Sequence, residues 1–369
     1  MKGDDHINIL YLSHLSGASY AGPTYSVPKQ IEAQSKIDNV FWYNAVRTYN
    51  SEWRKYDYYH DLTEFPKESI KDLPYPFNNP DLIVVELFYN MVKSKLIKEL
   101  IQGNVPYVII PRGELTKQAQ CRKKFKKSIA NIIIAKKYAR KAAAIQYLTE
   151  QEYIDSSDRW NLNKIIIPNG IEKPDIIKTY FSKNEIKCIL IGRIEPYQKG
   201  LDLLLDACSL IKEELENANC TITICGPDRE NKLDILKATV KEKHLERIIT
   251  FHDAVYGEKK REMLLNSDVF LIPSRFEGHP MALIEALSYG LPCIATVGSN
   301  MKSEIEEYNA GWTAENNIYS LKDSMLKMIE EKETFEEKSN RSIKLSELYQ
   351  WKVLANKSKE CFEKIKKET

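Results

Sequence analysis

Short apolar runs alternate along this chain with longer stretches whose apolar positions recur at helical spacing. In the first half, Ile7–Leu12, Phe41–Asn44, Leu82–Leu87, Tyr107–Ile110, Ala143–Leu148 and Lys164–Ile167 predict strands. In the second half, Lys187–Ile191, Thr221–Cys225, Ile248–Phe251, Val269–Ile272 and Cys293–Thr296 do the same. Amphipathic stretches such as Gly200–Glu216 and Glu258–Asn266 lie between them. Strand–helix alternation sustained over this length predicts an α/β architecture of parallel sheets covered by helices.

The run at Lys164–Ile167 enters Pro168–Asn169–Gly170, a turn signal, and the polar stretch Lys173–Glu185 follows. A domain boundary is expected near residue 175, giving a first domain over 1–175 and a second over 176–350. A last amphipathic helix is expected from Trp351 to about Lys367. A length of 369 residues suits two domains. Two doubly wound halves leave a cleft between them, and ligands of such sheets bind beyond the carboxyl ends of the strands. The chemistry is therefore sought just after each apolar run.

Composition narrows the classes. The chain is 43% hydrophobic and 29% charged, with a formal net charge of +2, which gives no global case for a nucleic-acid partner. Cysteines at 121, 188, 208, 220, 225, 293 and 361 show no CxxC or Cys/His metal spacing and read as reduced core thiols. Asp4 and Asp5 precede the first apolar run, unlike a signal peptide, and no run approaches the ~18 apolar residues of a membrane span. A cytoplasmic location is expected.

The strongest constellation runs from Asp268 through Pro273, Ser274, Arg275, Glu277, Gly278, His279, Pro280, Met281, Ala282 and Leu283 to Glu285. A strand leads to a loop carrying Glu277 and then to a helix, with Pro280 suited to the first helical position. The N–H groups around Met281 to Leu283 would face the cleft, and such a helix start binds an anion such as a diphosphate. Glu285 falls about 7.5 Å further along the helix at ~1.5 Å per residue. That separation suits one carboxylate for a sugar hydroxyl and the other for a ribose, each accepting adjacent hydroxyls. The plainer alternative is a loop Glu plus a solvent-facing helical Glu. It is weakened for Glu285 by its apolar neighbours Leu283, Ile284, Ala286 and Leu287.

A second strand opens into Gly192–Arg193 and, further on, Lys199–Gly200. Two cations near one diphosphate offset its charge in the ground state and on departure. Alternatively Lys199 merely caps its loop. A third strand ends at Cys225–Gly226–Pro227, where a ligand contact and a structural turn are equally open readings. In the first half, the strand at Ile7–Leu12 is followed by a loop bearing Gly22–Pro23, where glycine lets backbone approach a ligand closely. Arg112–Gly113 follows the strand at Tyr107–Ile110. The lone histidines His14 and His252 read as structural, whereas His279, beside Glu277, invites a test. No G-x-G-x-x-G fingerprint is present, which argues against a nicotinamide dehydrogenase.

The Glu277–x7–Glu285 spacing, with Pro273–Ser274–Arg275 ahead and Gly290–Leu–Pro–Cys–Ile–Ala behind, resembles the retaining GT-B enzymes of glycosyltransferase family 4. The resemblance covers nearly the whole chain. It implies a GT-B fold of two facing doubly wound domains with an interdomain cleft, and a last helix packed back on the first domain. It further implies transfer of a hexose-type sugar from a nucleoside-diphosphate sugar, UDP-sugar favoured, to a saccharide or lipid-linked saccharide hydroxyl, with retention. Bacterial surface polysaccharide or lipid-linked glycan is the implied product. No metal or other cofactor is implied, in agreement with the lack of a DxD-like pair at a strand end.

Residue by residue, the resemblance assigns Glu277 to the donor sugar, Glu285 to the ribose, and Arg193 and Lys199 to the diphosphate. Gly278, His279, Pro280, Met281, Ala282 and Leu283 line the same donor element. Gly226 matches the strand and Gly turn near the base, although Pro227 or Asp228 stands where a second glycine is usual. Gly22 matches the loop over the donor phosphate. Arg112 stands where many family members have a histidine against the donor sugar, so it either binds an acidic or phosphate group or is held in an internal salt bridge. Retention in the family is explained by front-face transfer, in which the departing diphosphate takes the acceptor's proton. A GT-B-fold sugar-nucleotide epimerase and a non-catalytic nucleotide-sugar-binding protein are the rival readings.

From Lys117 to Thr149 there is no acid. Arg122, Lys123, Lys124, Lys126, Lys127, Lys136, Lys137, Arg140 and Lys141 interleave with Phe125, Ile129, Ile132, Ile133 and Ile134. One reading is a surface over 117–141 docked peripherally on anionic lipid at the inner face of the cell membrane. The other is an ordinary solvated helix face with its isoleucines in the core.

Overall fold

The computed structural model describes residues 6–17, 22–47, 50–117, 119, 129–156, 160–228 and 231–368. Cys121, Arg122, Lys123, Lys124, Phe125, Lys126 and Lys127 lie outside the described residues. The chain forms two compact units, one of residues 1–170 with 351–369 and one of 171–350.

The first unit is built on strands β1 (Asn8–Ser13), β2 (Asn39–Asn44), β3 (Tyr59–Asp61), β4 (Leu82–Glu86), β5 (Tyr107–Ile110), β6 (Ala144–Tyr147) and β7 (Lys164–Ile166). Helices α1 (Pro23–Ser35), α2 (Tyr89–Val92), α3 (Leu96–Gln102), α4 (Ile129–Lys141) and α5 (Glu150–Ser156) connect them. The strands pair in parallel in the order β3-β2-β1-β4-β5-β6-β7. Alternate side chains enter opposite cores: Leu10 and Leu12 join Ile83 and Val85 on one face, while Ile9 and Tyr11 join Trp42 and Val84 on the other. Burial on both faces is why these strands read as unbroken apolar runs.

The second unit repeats the plan with β8 (Ile186–Ile191), β9 (Cys220–Cys225), β10 (Ile249–His252), β11 (Val269–Ile272), β12 (Cys293–Thr296) and β13 (Gly311–Ala314). Its helices are α6 (Leu201–Leu210), α7 (Lys212–Asn217), α8 (Leu233–Glu242), α9 (Gly257–Leu265), α10 (Met281–Ser288), α11 (Lys302–Tyr308), α12 (Ile318–Glu330) and α13 (Phe335–Glu347). The parallel order is β10-β9-β8-β11-β12-β13. Ile186, Cys188 and Leu190 pack on one face and Ile189 on the other, against Leu283 and Leu287 of α10. Cys188, Cys208, Cys220, Cys225 and Cys293 are free and buried in this unit, and burial pushes the Cys208 and Cys293 thiols up.

The last helix, α14 (Trp351–Glu368), belongs to the first unit. Its Phe362 and Ile365 share a core with Val27 and Ile31 of α1. Lys359 Nζ reaches the buried Asp38 at 3.3 Å.

Every expected strand is present. Two more occupy sheet edges, β3 and β13, the first of only three residues and rich in polar side chains. The stretch expected as one helix over Gly200–Glu216 is two, α6 and α7, because Ile211 leaves helical geometry at φ −127°. On α4 the core face is Ala135, Tyr138 and Ala139, whereas Ile133 and Ile134 are exposed at 63% and 38%. For these two isoleucines the core-facing reading is therefore overturned: they share the outer side with Lys136 and Lys137. Among the described residues no helix is long and apolar enough to cross a membrane.

Candidate functional site

In the second unit the strand order reverses direction between β8 and β11. Loops leaving the carboxyl ends of two such strands diverge and open a crevice. A cavity of about 230 Å³ lies there, with Leu190 and Ile272 from the strands and Lys199, Ser274, Glu277 and Met281 from the loops and helix.

The two loops are locked to each other before they shape the cavity. Gly200 has φ +62°, and a Cβ on it would lie 1.9 Å from the Pro273 carbonyl oxygen, so only glycine allows this approach. Arg275 then forks onto Asp202 with bonds of 2.7 and 2.8 Å and donates to the Tyr197 carbonyl at 2.8 Å. Its backbone N–H reaches the Gln198 carbonyl at 2.9 Å. A bidentate guanidinium–carboxylate pair fixes orientation as well as distance.

Within this frame Lys199 Nζ lies 2.6 Å from Glu277 Oε1, and Ser274 Oγ donates to the same oxygen at 2.6 Å. Asn300, held at φ +60°, donates to the Glu277 backbone carbonyl at 2.5 Å. The Glu277 side chain is only 8% exposed. Both donors use Oε1, which leaves Oε2 without a hydrogen bond among the described residues. The arrangement is a fixed carboxylate with one oxygen open to a hydroxyl ligand, beside an ammonium whose three N–H groups exceed the needs of one partner.

The helix beyond the loop begins one residue later than expected. Pro280 is the residue before α10, at φ −83° and ψ 68°, and the Met281 N–H closes an inverse γ-turn onto the His279 carbonyl at 2.9 Å. Leu283 donates to the Pro280 carbonyl at 3.0 Å, and its side chain is fully buried in the core. Of the three N–H groups expected to be open, only that of Ala282 makes no hydrogen bond among the described residues. Met281, Ala282, His279 and Pro280 all line the cavity, whereas Gly278 is exposed on the loop. The His279 ring sits 6.1 Å from that of Tyr349.

Glu285 lies one turn further along α10, and its carboxylate is 34% exposed. Its Oε2 is held by Lys260 Nζ from α9. Arg193 is exposed, with Nη2 3.1 Å from Gln198 Oε1. Gly226 is a close-approach glycine: a Cβ there would lie 1.6 Å from the Gly192 carbonyl oxygen. It lets the β8 and β9 loops meet, which is the structural side of the two readings open from the sequence.

In the first unit, Gly22 is the residue before α1, with Pro23 at the helix start. Arg112 is 4% exposed and makes five hydrogen bonds: to Glu86 through Nε (2.7 Å) and Nη2 (3.3 Å), to Gln30 (2.7 Å), and to Ser26 (3.2 Å) and Asn169 (2.5 Å) through Nη1. These occupy a guanidinium's full donor set. The geometry is that of the internal salt bridge, and it leaves no donor for a phosphate.

Sequence reasoning did not single out Asp202, Asn300 or Lys260. Ser274–x–x–Glu277 carries a readable serine-to-acid spacing, but Asn300 and Lys260 reach the site only through tertiary placement. Among the described residues, no group of three or more His, Cys, Asp or Glu side chains is arranged to hold a metal ion.

Comparison with known proteins shows what the chain and its fold are similar to. Residues 172–345 match the family described as Glycosyl transferases group 1, a match that spans nearly all of the second unit. An uncharacterized glycosyltransferase of Haemophilus influenzae is 28% identical over 207 residues, 55% of this chain and 56% of that protein. The putative colanic acid biosynthesis glycosyltransferase WcaL of Escherichia coli is 27% identical over 179 residues, 44% of this chain and 43% of its own length. The chain thus spans about half the length of these curated relatives. Anabaena HepE, in complex with UDP, superposes with a TM-score of 0.72 at 14% identity, covering 97% of this chain and all of HepE. That likeness is one of fold, and the fold is GT-B.

Proposed function

We propose that this chain transfers a sugar from a nucleoside-diphosphate sugar to a hydroxyl acceptor with retention of anomeric configuration. The observation that carries the reading is the Lys199–Glu277 pair on the wall of the switch-point cavity, next to the start of α10. Glu277 Oε2 is the oxygen available to the donor sugar. The unused N–H groups of Lys199, the Ala282 N–H and the exposed Arg193 are the groups available to a diphosphate. Positive charge preorganised beside a departing diphosphate stabilises the transition state more than the ground state. In front-face transfer the bond from the anomeric carbon to the diphosphate oxygen breaks. The bond to the acceptor oxygen forms on the same face, and the acceptor's proton passes to the departing diphosphate. Such a step asks of the protein positioning and charge, which is what this site offers.

A uridine nucleotide is favoured because the structural relative HepE is complexed with UDP. Synthesis of a bacterial surface polysaccharide is supported by the relative named for colanic acid biosynthesis. A lipid-linked acceptor at the cytoplasmic face of the membrane is supported by α4, where exposed Ile133 and Ile134 lie beside exposed Lys136 and Lys137.

The test is a thermal-shift screen against UDP-, GDP-, ADP- and dTDP-sugars, repeated on Lys199→Ala and Glu285→Ala. Loss of the shift in both variants is expected. Wild-type binding by both removes this site from consideration. NMR of the product's anomeric signal decides retention against inversion, and donor conversion without acceptor points to the epimerase instead.

A further inference from the structure

We propose that Lys260 is a positioning residue of the nucleotide site, holding the Glu285 carboxylate oriented for the two hydroxyls of a ribose and so setting the preference for ribo- over deoxyribonucleotides. The proposal rests on Glu285 being the ribose-facing carboxylate. Glu285 stands on α10 between the fully buried Ile284 and Ala286, so its backbone is fixed while its own side chain is 34% exposed. A glutamate in that situation keeps rotamer freedom, which a diol ligand would have to remove on binding.

Lys260 removes it beforehand. Its ammonium takes Glu285 Oε2 from the first turn of α9, and its side chain is 19% exposed. Oε1 of Glu285 then has no hydrogen bond among the described residues and is the oxygen presented to a ligand. The neighbouring Arg261 is engaged by Glu258 at 2.8 Å, so the ion pair Glu285 makes is with Lys260. The same design recurs at the other carboxylate, where Lys199 and Ser274 hold Glu277 Oε1 and leave Oε2 open. Each carboxylate is thus anchored through one oxygen by a lysine from another loop or helix.

A partly exposed ion pair contributes little to folding, so Lys260→Met is expected to fold with an unchanged melting temperature. Calorimetric titration with UDP and GDP, each against its 2′-deoxy form, reads the preference. Wild type is expected to bind the cognate ribonucleotide at least tenfold more tightly than its deoxy form. Lys260→Met is expected to bring that ratio near one by weakening only the ribonucleotide, and Lys260→Arg to restore most of it. If Glu285→Gln abolishes the preference while Lys260→Met keeps it, the role of Lys260 is overturned and the ribose reading stands. If neither variant changes it, or wild type shows none in either pair, the ribose reading itself is overturned. Equal weakening of both nucleotides by Lys260→Met, or no rescue by arginine, also overturns the positioning role.

Discussion

Lys199 Nζ and Glu277 Oε1, 78 residues apart in sequence, lie 2.6 Å from each other across the wall of the second unit's cavity. The pair joins the loop after β8 to the loop after β11 and places an ammonium beside a carboxylate where the two loops diverge. On the proposed function the two residues have separable jobs. Lys199→Ala would then remove the charge-assisted donor proposed for the diphosphate, a contact that typically contributes about 1.5–3 kcal/mol, so UDP affinity is expected to fall roughly ten- to a hundredfold. Glu277→Gln leaves UDP binding near the wild-type level but removes the extra affinity of the UDP-sugar over UDP. Calorimetry with UDP and UDP-glucose on both variants tests the division, and a Glu277→Gln protein that still favours the UDP-sugar as wild type does would contradict it.

Arg112 and Glu86 predict a stability effect in place of a binding effect. Their side chains are 4% and 0% exposed, so removing the cation leaves a buried carboxylate without its counter-charge. Such a loss costs about 3–5 kcal/mol. Arg112→Met is expected to lower the unfolding free energy of the first unit, read by guanidinium titration of the full chain, by that amount, and Glu86→Gln in the same chain to recover part of it. An unchanged transition would mean that Glu86 is solvated or protonated in the absence of the arginine.

Two glycines within one region give opposite expectations. Gly200→Ala adds a methyl 1.9 Å from the Pro273 carbonyl at a φ of +62°, so the paired loops must part. A loss of about 1–3 kcal/mol or more is expected, together with nucleotide binding. Gly278→Ala meets nothing within 4 Å and is expected to change stability by less than about 0.5 kcal/mol. Melting and nucleotide titration of the pair would reveal whether the loop junction at Gly200, and not loop flexibility in general, governs the site.

The strands were legible from sequence because both faces of each sheet are buried, so Leu82–Glu86 is apolar up to its last residue and Val269–Ile272 throughout. The short edge strand Tyr59–Asp61 escaped because it pairs with β2 alone among the named strands and its sequence, Tyr–His–Asp, has no apolar run to announce it. Glu277, Glu285 and Lys199 stood out because a loop glutamate, a helical glutamate and a Gly-flanked lysine fall just after strands. Their partners did not. Lys260 lies in Gly257–Leu265 among residues that read as a solvated helix face, and only tertiary placement brings it to Glu285. Arg112 has partners at 26, 30, 86 and 169, and no local spacing records that convergence.

His14 supplies a pH-dependent prediction. It follows β1, its side chain is 10% exposed, and its Nε2 lies 3.7 Å from Glu68 Oε1, the charged group that faces it. Burial lowers the ring's pKa more than Glu68 raises it, so the net shift is downward. In the unfolded chain the ring titrates near about 6.5. As pH falls through that value the unfolded chain takes up a proton that the folded ring still refuses, and stability drops. The loss continues until pH reaches the folded pKa, below which both states are protonated and the slope vanishes. One proton limits the slope to about 1.4 kcal/mol per pH unit. Between pH 7.5 and 5.5, the guanidinium midpoint of wild type is therefore expected to fall further than that of His14→Gln. Parallel curves for the two proteins would show that the ring is protonated equally easily folded and unfolded, and that Glu68 offsets the burial.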